Sequence, residues 1–197
     1  MAEVLKFASD RKIAIPRSEE RIAQSIERLR TASFSQDPLM SASESFTVAI
    51  WSSAMKRDGG VIEAAIMDAI EQTPSLRLVP VSRVEHRHVD VQFEVIANNH
   101  FVALEVKRGS LHDSTKIRQF RTDLVEMPKI LANALPLFPI KHIDFHIVFI
   151  GGTPPIKEGL TLPDLKKLYG LDARLHVDTA QRRFSRAVRS VIEERTR

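Results

Sequence analysis

Asp90, Glu105 and Lys107 are the residues whose types and spacing point most directly to chemistry. Glu105-Val106-Lys107 follows an apolar run. On a strand, alternation puts Glu105 and Lys107 on one face, about 7 Å apart at ~3.4 Å per residue. Asn98-Asn99 falls between Asp90 and Glu105 and reads as a two-residue hairpin loop, where positive φ is favoured. In that register Val91 opposes Val106, Phe93 opposes Leu104 and Val95 opposes Val102, giving one wholly apolar face. On the other face Asp90 opposes Lys107 and Gln92 opposes Glu105. A one-residue slip would scatter both sets, so the apolar pattern and the polar cluster require the same pairing.

Two carboxylates and a lysine on one patch of sheet suit phosphodiester hydrolysis. Adjacent carboxylates hold a hard divalent cation, Mg2+ with Mn2+ as substitute, which takes oxygen ligands and retains exchangeable waters. Such a cation polarises a phosphoryl group and lowers the pKa of a bound water. Lys107 is within reach of the attacked phosphate or the water, as a stabiliser of charge.

These residues resemble the PD-(D/E)xK, or restriction-endonuclease-like, nuclease superfamily. The resemblance rests on His88-Val89-Asp90, a fourteen-residue interval and Glu105-Val106-Lys107, with Val89 where the family motif has proline. It covers about residues 44 to 150. It implies that Asp90 and Glu105 bind the metal, that the Val106 carbonyl completes its shell, and that Lys107 assists the attacking water. Many members add a helix glutamate, for which Glu63 is the candidate. Some place a polar residue on the helix after the lysine, and Gln119 stands there.

The surrounding elements are legible separately. Gly59-Gly60 opens a helix over 61–71, in which Ile62, Ala65, Ile66, Ala69 and Ile70 recur at helical spacing and Glu63 edges the apolar stripe. Thr73-Pro74 stops it. Leu76 to Val81 reads as a first strand, leading by a basic turn into the hairpin. Asp113-Ser114 caps a helix to about Ala134, with Pro128 implying a kink or break. Ile143 to Ile150 is an apolar run expected to be a buried strand. Phe46 to Met55 reads as a further helix and Arg17 to Arg30 as an N-terminal one, joined by a serine-rich connector. The expected fold is α/β, a restriction-endonuclease-like core with a mixed central sheet flanked by helices in the order αβββαβ. Residues 1–43 form an N-terminal helical extension, 44–150 the nuclease core and 151–197 a basic helical extension.

The 197 residues, 43% hydrophobic, suffice for one sizeable core. No stretch approaches the ~20 apolar residues that span a bilayer, and no secretory pattern opens the chain, so the expectation is a cytoplasmic protein with no membrane association. The absence of cysteine excludes disulfides and thiol chemistry. The net charge of +4 favours a polyanionic partner. Arg108, Lys116, Arg118 and Arg121 cluster near Lys107 as candidate DNA contacts. Arg182 and Arg186 do so on a C-terminal helix expected to start at Asp178-Thr179. His86 and His88 alternate with Asp90, a weaker zinc pattern. The expectation is an Mg2+-dependent DNA endonuclease, a type II restriction enzyme or a subunit of one, working as a homodimer or with a partner subunit. The alternatives are a repair, recombination or toxin nuclease, or a non-catalytic nucleic-acid-binding module.

Overall fold

The computed structural model describes residues 15–80, 89–109, 113–134 and 142–196. Helix α1 (Arg17–Thr31) is followed by α2 (Ala42–Glu71), whose start is set by a capping box. The Ser41 hydroxyl accepts from the Glu44 amide while the Glu44 carboxylate accepts from the Ser41 amide. The helices expected at Phe46 to Met55 and at 61–71 are one helix of 30 residues, because Gly59-Gly60 does not open a new one. A glycine in a helix interior costs roughly 0.5–1 kcal/mol, and here it permits close approach. A Cβ on Gly60 would meet the Arg21 guanidinium at 2.7 Å. Asp68 of α2 in turn caps α1, accepting from the Arg17 amide at 2.8 Å and the Ser18 amide at 3.0 Å.

The sheet is built from β1 (Leu76–Leu78), β2 (Val91–Val95), β3 (His100–Arg108) and β4 (His142–Ile150), in the order β1-β2-β3-β4. The first three are antiparallel and β4 runs parallel to β3. β1 is shorter than the Leu76 to Val81 run, and the basic turn with His86 and His88 lies outside the described residues.

The hairpin differs from the expected register by two residues. Val91 pairs with Leu104, Phe93 with Val102 and Val95 with His100. The cause is the loop, which spans four residues: a 3-10 turn at Ile96–Asn98, then Asn99 at φ 52°. A two-residue type I′ loop needs positive φ at both central positions, and Asn98 does not adopt it. Since strand alternation has a period of two, a two-residue shift leaves every side chain on its expected face.

Helices cover both faces. Val91, Phe93, Val102 and Leu104 are buried in a core shared with α1, α2 and α5 (Arg174–Thr196). On the other face Phe101, Ala103, Phe145, Ile147 and Phe149 pack against Phe120, Met127 and Leu131 of α3 (Ser114–Ala134). Asp113 caps α3 by accepting from the Lys116 amide at 2.8 Å. The helix continues through Pro128 without breaking, at the loss of the amide that would bond the carbonyl four residues earlier. A short α4 (Leu162–Tyr169) starts at the Thr161–Asp164 capping box and ends at Gly170, φ 72°. Helix α5 begins four residues before the expected cap, so Asp178 lies inside it. Among the described residues no helix is long and apolar enough to cross a membrane.

Candidate active site

β2 begins at Val91, so Asp90 lies just before the paired residues, and its amide donates to the Leu104 carbonyl at 3.0 Å. The expectation had Asp90 opposite Lys107 and Gln92 opposite Glu105. Gln92 instead pairs with Ala103. Asp90 and Glu105 nevertheless line the same cavity. Asp90 Oδ2 accepts from the Val106 amide at 2.7 Å, which pins one oxygen of that carboxylate to β3. A strand residue directs its N–H and C=O to the same edge, so the Val106 carbonyl is turned toward Asp90 as well. Lys107 pairs with Glu105, and these side chains are 30% and 19% exposed, partly desolvated yet open to a ligand.

Asp90, Glu105 and Lys107 line a cavity of about 490 Å³ that α3 closes with Gln119, Asp123 and Met127, above Phe145 of β4. Gln119, expected from its place after the lysine, donates to Asp123 Oδ1 at 2.8 Å. Asp123 is 7% exposed and was not anticipated. Its signal was the i, i+4 spacing from Gln119 on the buried face of the helix. With Asp90 and Glu105 it makes three carboxylates beside one ammonium. Carboxylate oxygens are the donors Mg2+ and Mn2+ take, although these three are not gathered within 4.8 Å of one another as the His100, His142 and Asp144 ligand atoms are.

Other expected residues lie elsewhere. Glu63 lines a separate recess with Arg17, Glu20, Arg21 and Gln24, on the α1–α2 side of the molecule. Arg108, one residue past Lys107, turns to the opposite face. Its Nε lies 3.1 Å from the Asp58 carboxylate and its guanidinium donates to the Met55 carbonyl at 2.7 Å, tying β3 to α2. Lys116, Arg118 and Arg121 are exposed on α3, the helix that closes the cavity. Arg182 and Arg186 are exposed on α5, which packs on α2 and α1 across the sheet from α3. Arg182 donates to the Asp178 carbonyl at 3.0 Å. The larger cavity, about 1100 Å³, is distinct from the carboxylate one and is lined by Lys56, Arg108 and Arg174 among others.

A second polar cluster sits at the other end of β3 and β4, on the opposite face. His100 pairs in register with His142, and Asp144 and His146 follow on the same side of β4. Asp144 lies 2.9 Å from His100 Nε2 and 3.0 Å from His142 Nε2, and accepts from the Tyr169 hydroxyl at 2.8 Å. Burial raises the Asp144 carboxyl, but the Tyr169 hydrogen bond and the imidazoles of His100, His146 and His142 outweigh it and hold the group below the ordinary carboxylate range. Burial pushes the Tyr169 phenol up, as do its hydrogen bond to Asp144 and that carboxylate's charge. Burial lowers His146, against the upward pull of Asp144. The pattern His142-x-Asp144-x-His146 was available in the sequence as alternation on one strand face.

No protein-family model, curated protein or solved structure matches this chain.

Proposed function

We propose that the carboxylate cavity is the centre of a metal-dependent phosphodiesterase acting on DNA, an endonuclease with a restriction-endonuclease-like core. The observation that carries this reading is the convergence of Asp90, Glu105 and Lys107 on one cavity, with Asp90 tied to the amide of Val106 between the other two. The element order from α2 through β4, with antiparallel β1 to β3 and parallel β4, is compatible with the superfamily that the Asp90 and Glu105-x-Lys107 motif resembles.

Asp90 and Glu105 would hold the cation, with the Val106 carbonyl and Asp123 as further oxygen donors. When bound, Mg2+ supplies Lewis-acid polarisation of the phosphoryl group and a bound water of lowered pKa. The protein groups account for the rest. The Val106 amide fixes Asp90, so the carboxylate is oriented before substrate arrives. Lys107, held by Glu105, presents an ammonium to the charge that develops on the phosphoryl oxygens. Gln119 orients Asp123 from α3. Lys116, Arg118 and Arg121 offer exposed positive charge to flanking phosphates, which positions a strand without reading its sequence. Within this reading the biological role is restriction, as a type II enzyme or a subunit of one. A homodimer follows if both strands are cut, since each strand needs a centre.

The test is incubation of the protein with supercoiled plasmid in Mg2+, Mn2+ or EDTA, beside Lys107→Ala and Asp90→Ala. Metal-dependent cleavage lost in both variants supports the reading, and discrete products distinguish a restriction enzyme from a repair or toxin nuclease. Salt-sensitive DNA binding that is equal in all three proteins, without cleavage, would replace it with a non-catalytic binding module.

A further inference from the structure

We propose that His100, His142 and Asp144 form a site for a divalent transition metal of the zinc type, at the N-terminal end of the parallel β3–β4 pair. One ligand atom from each residue lies within 4.8 Å of the others. Parallel register brings His100 and His142 together although 42 positions separate them in the chain, and Asp144 follows on the same face. Two imidazoles with one carboxylate are donors that favour zinc, cobalt or nickel over magnesium. Three protein ligands leave a fourth position of a tetrahedral shell to water, and the His142 side chain, 66% exposed, keeps that side open.

Two details set this cluster apart from a simple ion pair. His100 Nε2 is buried and makes no hydrogen bond of good geometry among the described residues, although an Asp144 oxygen is only 2.9 Å away. That nitrogen is close to the carboxylate without being aimed at it, as expected where both converge on a third atom. Asp144 is also braced from behind. The Tyr169 hydroxyl donates to it, and Tyr169 contacts His146, which gives a ligating carboxylate the outer partner such ligands usually have. A bound metal would clip β3 to β4 and seat α4 through Tyr169. Glu105 is on the other face and five residues along β3, roughly 16 Å at ~3.3 Å per residue, so this site is independent of the carboxylate cavity.

The test is zinc titration of the EDTA-stripped full chain by calorimetry, with cobalt followed by its visible d–d absorption. Both are repeated in an Asp90→Ala background to remove binding at the other cavity. The expected result is one tight equivalent in both proteins, with cobalt bands typical of low coordination number and no competition from excess Mg2+. His142→Ala, at an exposed position that leaves folding intact by circular dichroism, should lose that equivalent. Tyr169→Phe should weaken it by about 10–100-fold. Absence of a tight equivalent in wild type, its persistence in His142→Ala, or its loss in Asp90→Ala with His142→Ala unaffected would overturn the proposal. None of these outcomes depends on whether the protein cleaves DNA.

Discussion

The two ends of β3 carry opposite chemistry on opposite faces of one sheet. Near its C-terminal end, Glu105 and Lys107 join Asp90 in an oxygen-rich cavity that also holds a lysine side chain. At its N-terminal end, His100 joins His142 and Asp144 in a nitrogen-rich cluster around one half-buried carboxylate. The donors decide which ligand each end can take. Carboxylates suit a hard cation that keeps its waters, and the ammonium favours an anionic substrate beside it. Imidazoles suit a borderline metal, and the ring of Tyr169 packs edge-on against His100 and Phe93 beside them. A single strand can thus serve two functions, because alternation separates its faces and its length separates its ends.

The sharpest way to break this contrast is Lys107→Ala. Plasmid cleavage should fall by about 100–1,000-fold, the scale of losing one group that stabilises transition-state charge, while zinc stoichiometry stays unchanged. Cleavage assays and calorimetry on the same preparation check both halves. The reciprocal substitution, His142→Ala, should leave cleavage untouched and abolish thermal stabilisation by zinc. In wild type that stabilisation is about 2.7 kcal/mol when free metal is 100 times Kd, readable as a shift in Tm.

A smaller effect tests the hairpin that sets the register of β2 on β3. Asn99 holds φ 52°, which asparagine tolerates and alanine does not. Asn99→Ala should cost about 1–2 kcal/mol in denaturant unfolding, whereas Asn98→Ala should be near neutral. Equal costs at both positions would restore the two-residue loop and its register.

The smallest effect is at the α4 cap that seats Tyr169. Asp164 accepts from the Thr161 hydroxyl and from its amide at 2.9 Å, and these bonds hold its carboxyl below the ordinary aspartate range. A depressed folded-state pKa contributes stability above the unfolded value and loses it as pH falls through the folded one. Asp164→Asn should therefore be less stable at neutral pH by a few tenths of a kcal/mol, given the exposure of the group. The difference should close as pH drops below 3.8. Chemical denaturation at pH 7 and at acid pH measures it.

Much of this architecture was legible as local pattern. The apolar period over Ile62, Ala65, Ile66, Ala69 and Ile70 marked the buried face of α2, and the run to Ile150 marked β4. Boundaries were harder to read where local cost was outweighed by packing. Gly59-Gly60 looks like a break until Arg21 is seen lying against it. Asp178 looks like a cap until Arg174 is seen four residues earlier, 3.8 Å from its carboxylate. Glu63 borders an apolar stripe, but that stripe faces α1 and the core on the far side of the sheet from the carboxylate cavity.

By itself the sequence determined which side chains share a face. Alternation is a property of the extended backbone, so Asp90, Glu105 and Lys107 stay together in any register that differs by an even number. Tertiary structure alone decided which residues meet. A four-residue loop set the register of β2 on β3, and the packing of α3 on β4 added Asp123 to the cavity of Asp90 and Glu105. The parallel pairing of β3 with β4 brought His100 to His142. These contacts join positions distant in the chain, and their geometry depends on how helices fill both faces of the sheet, which no local spacing encodes.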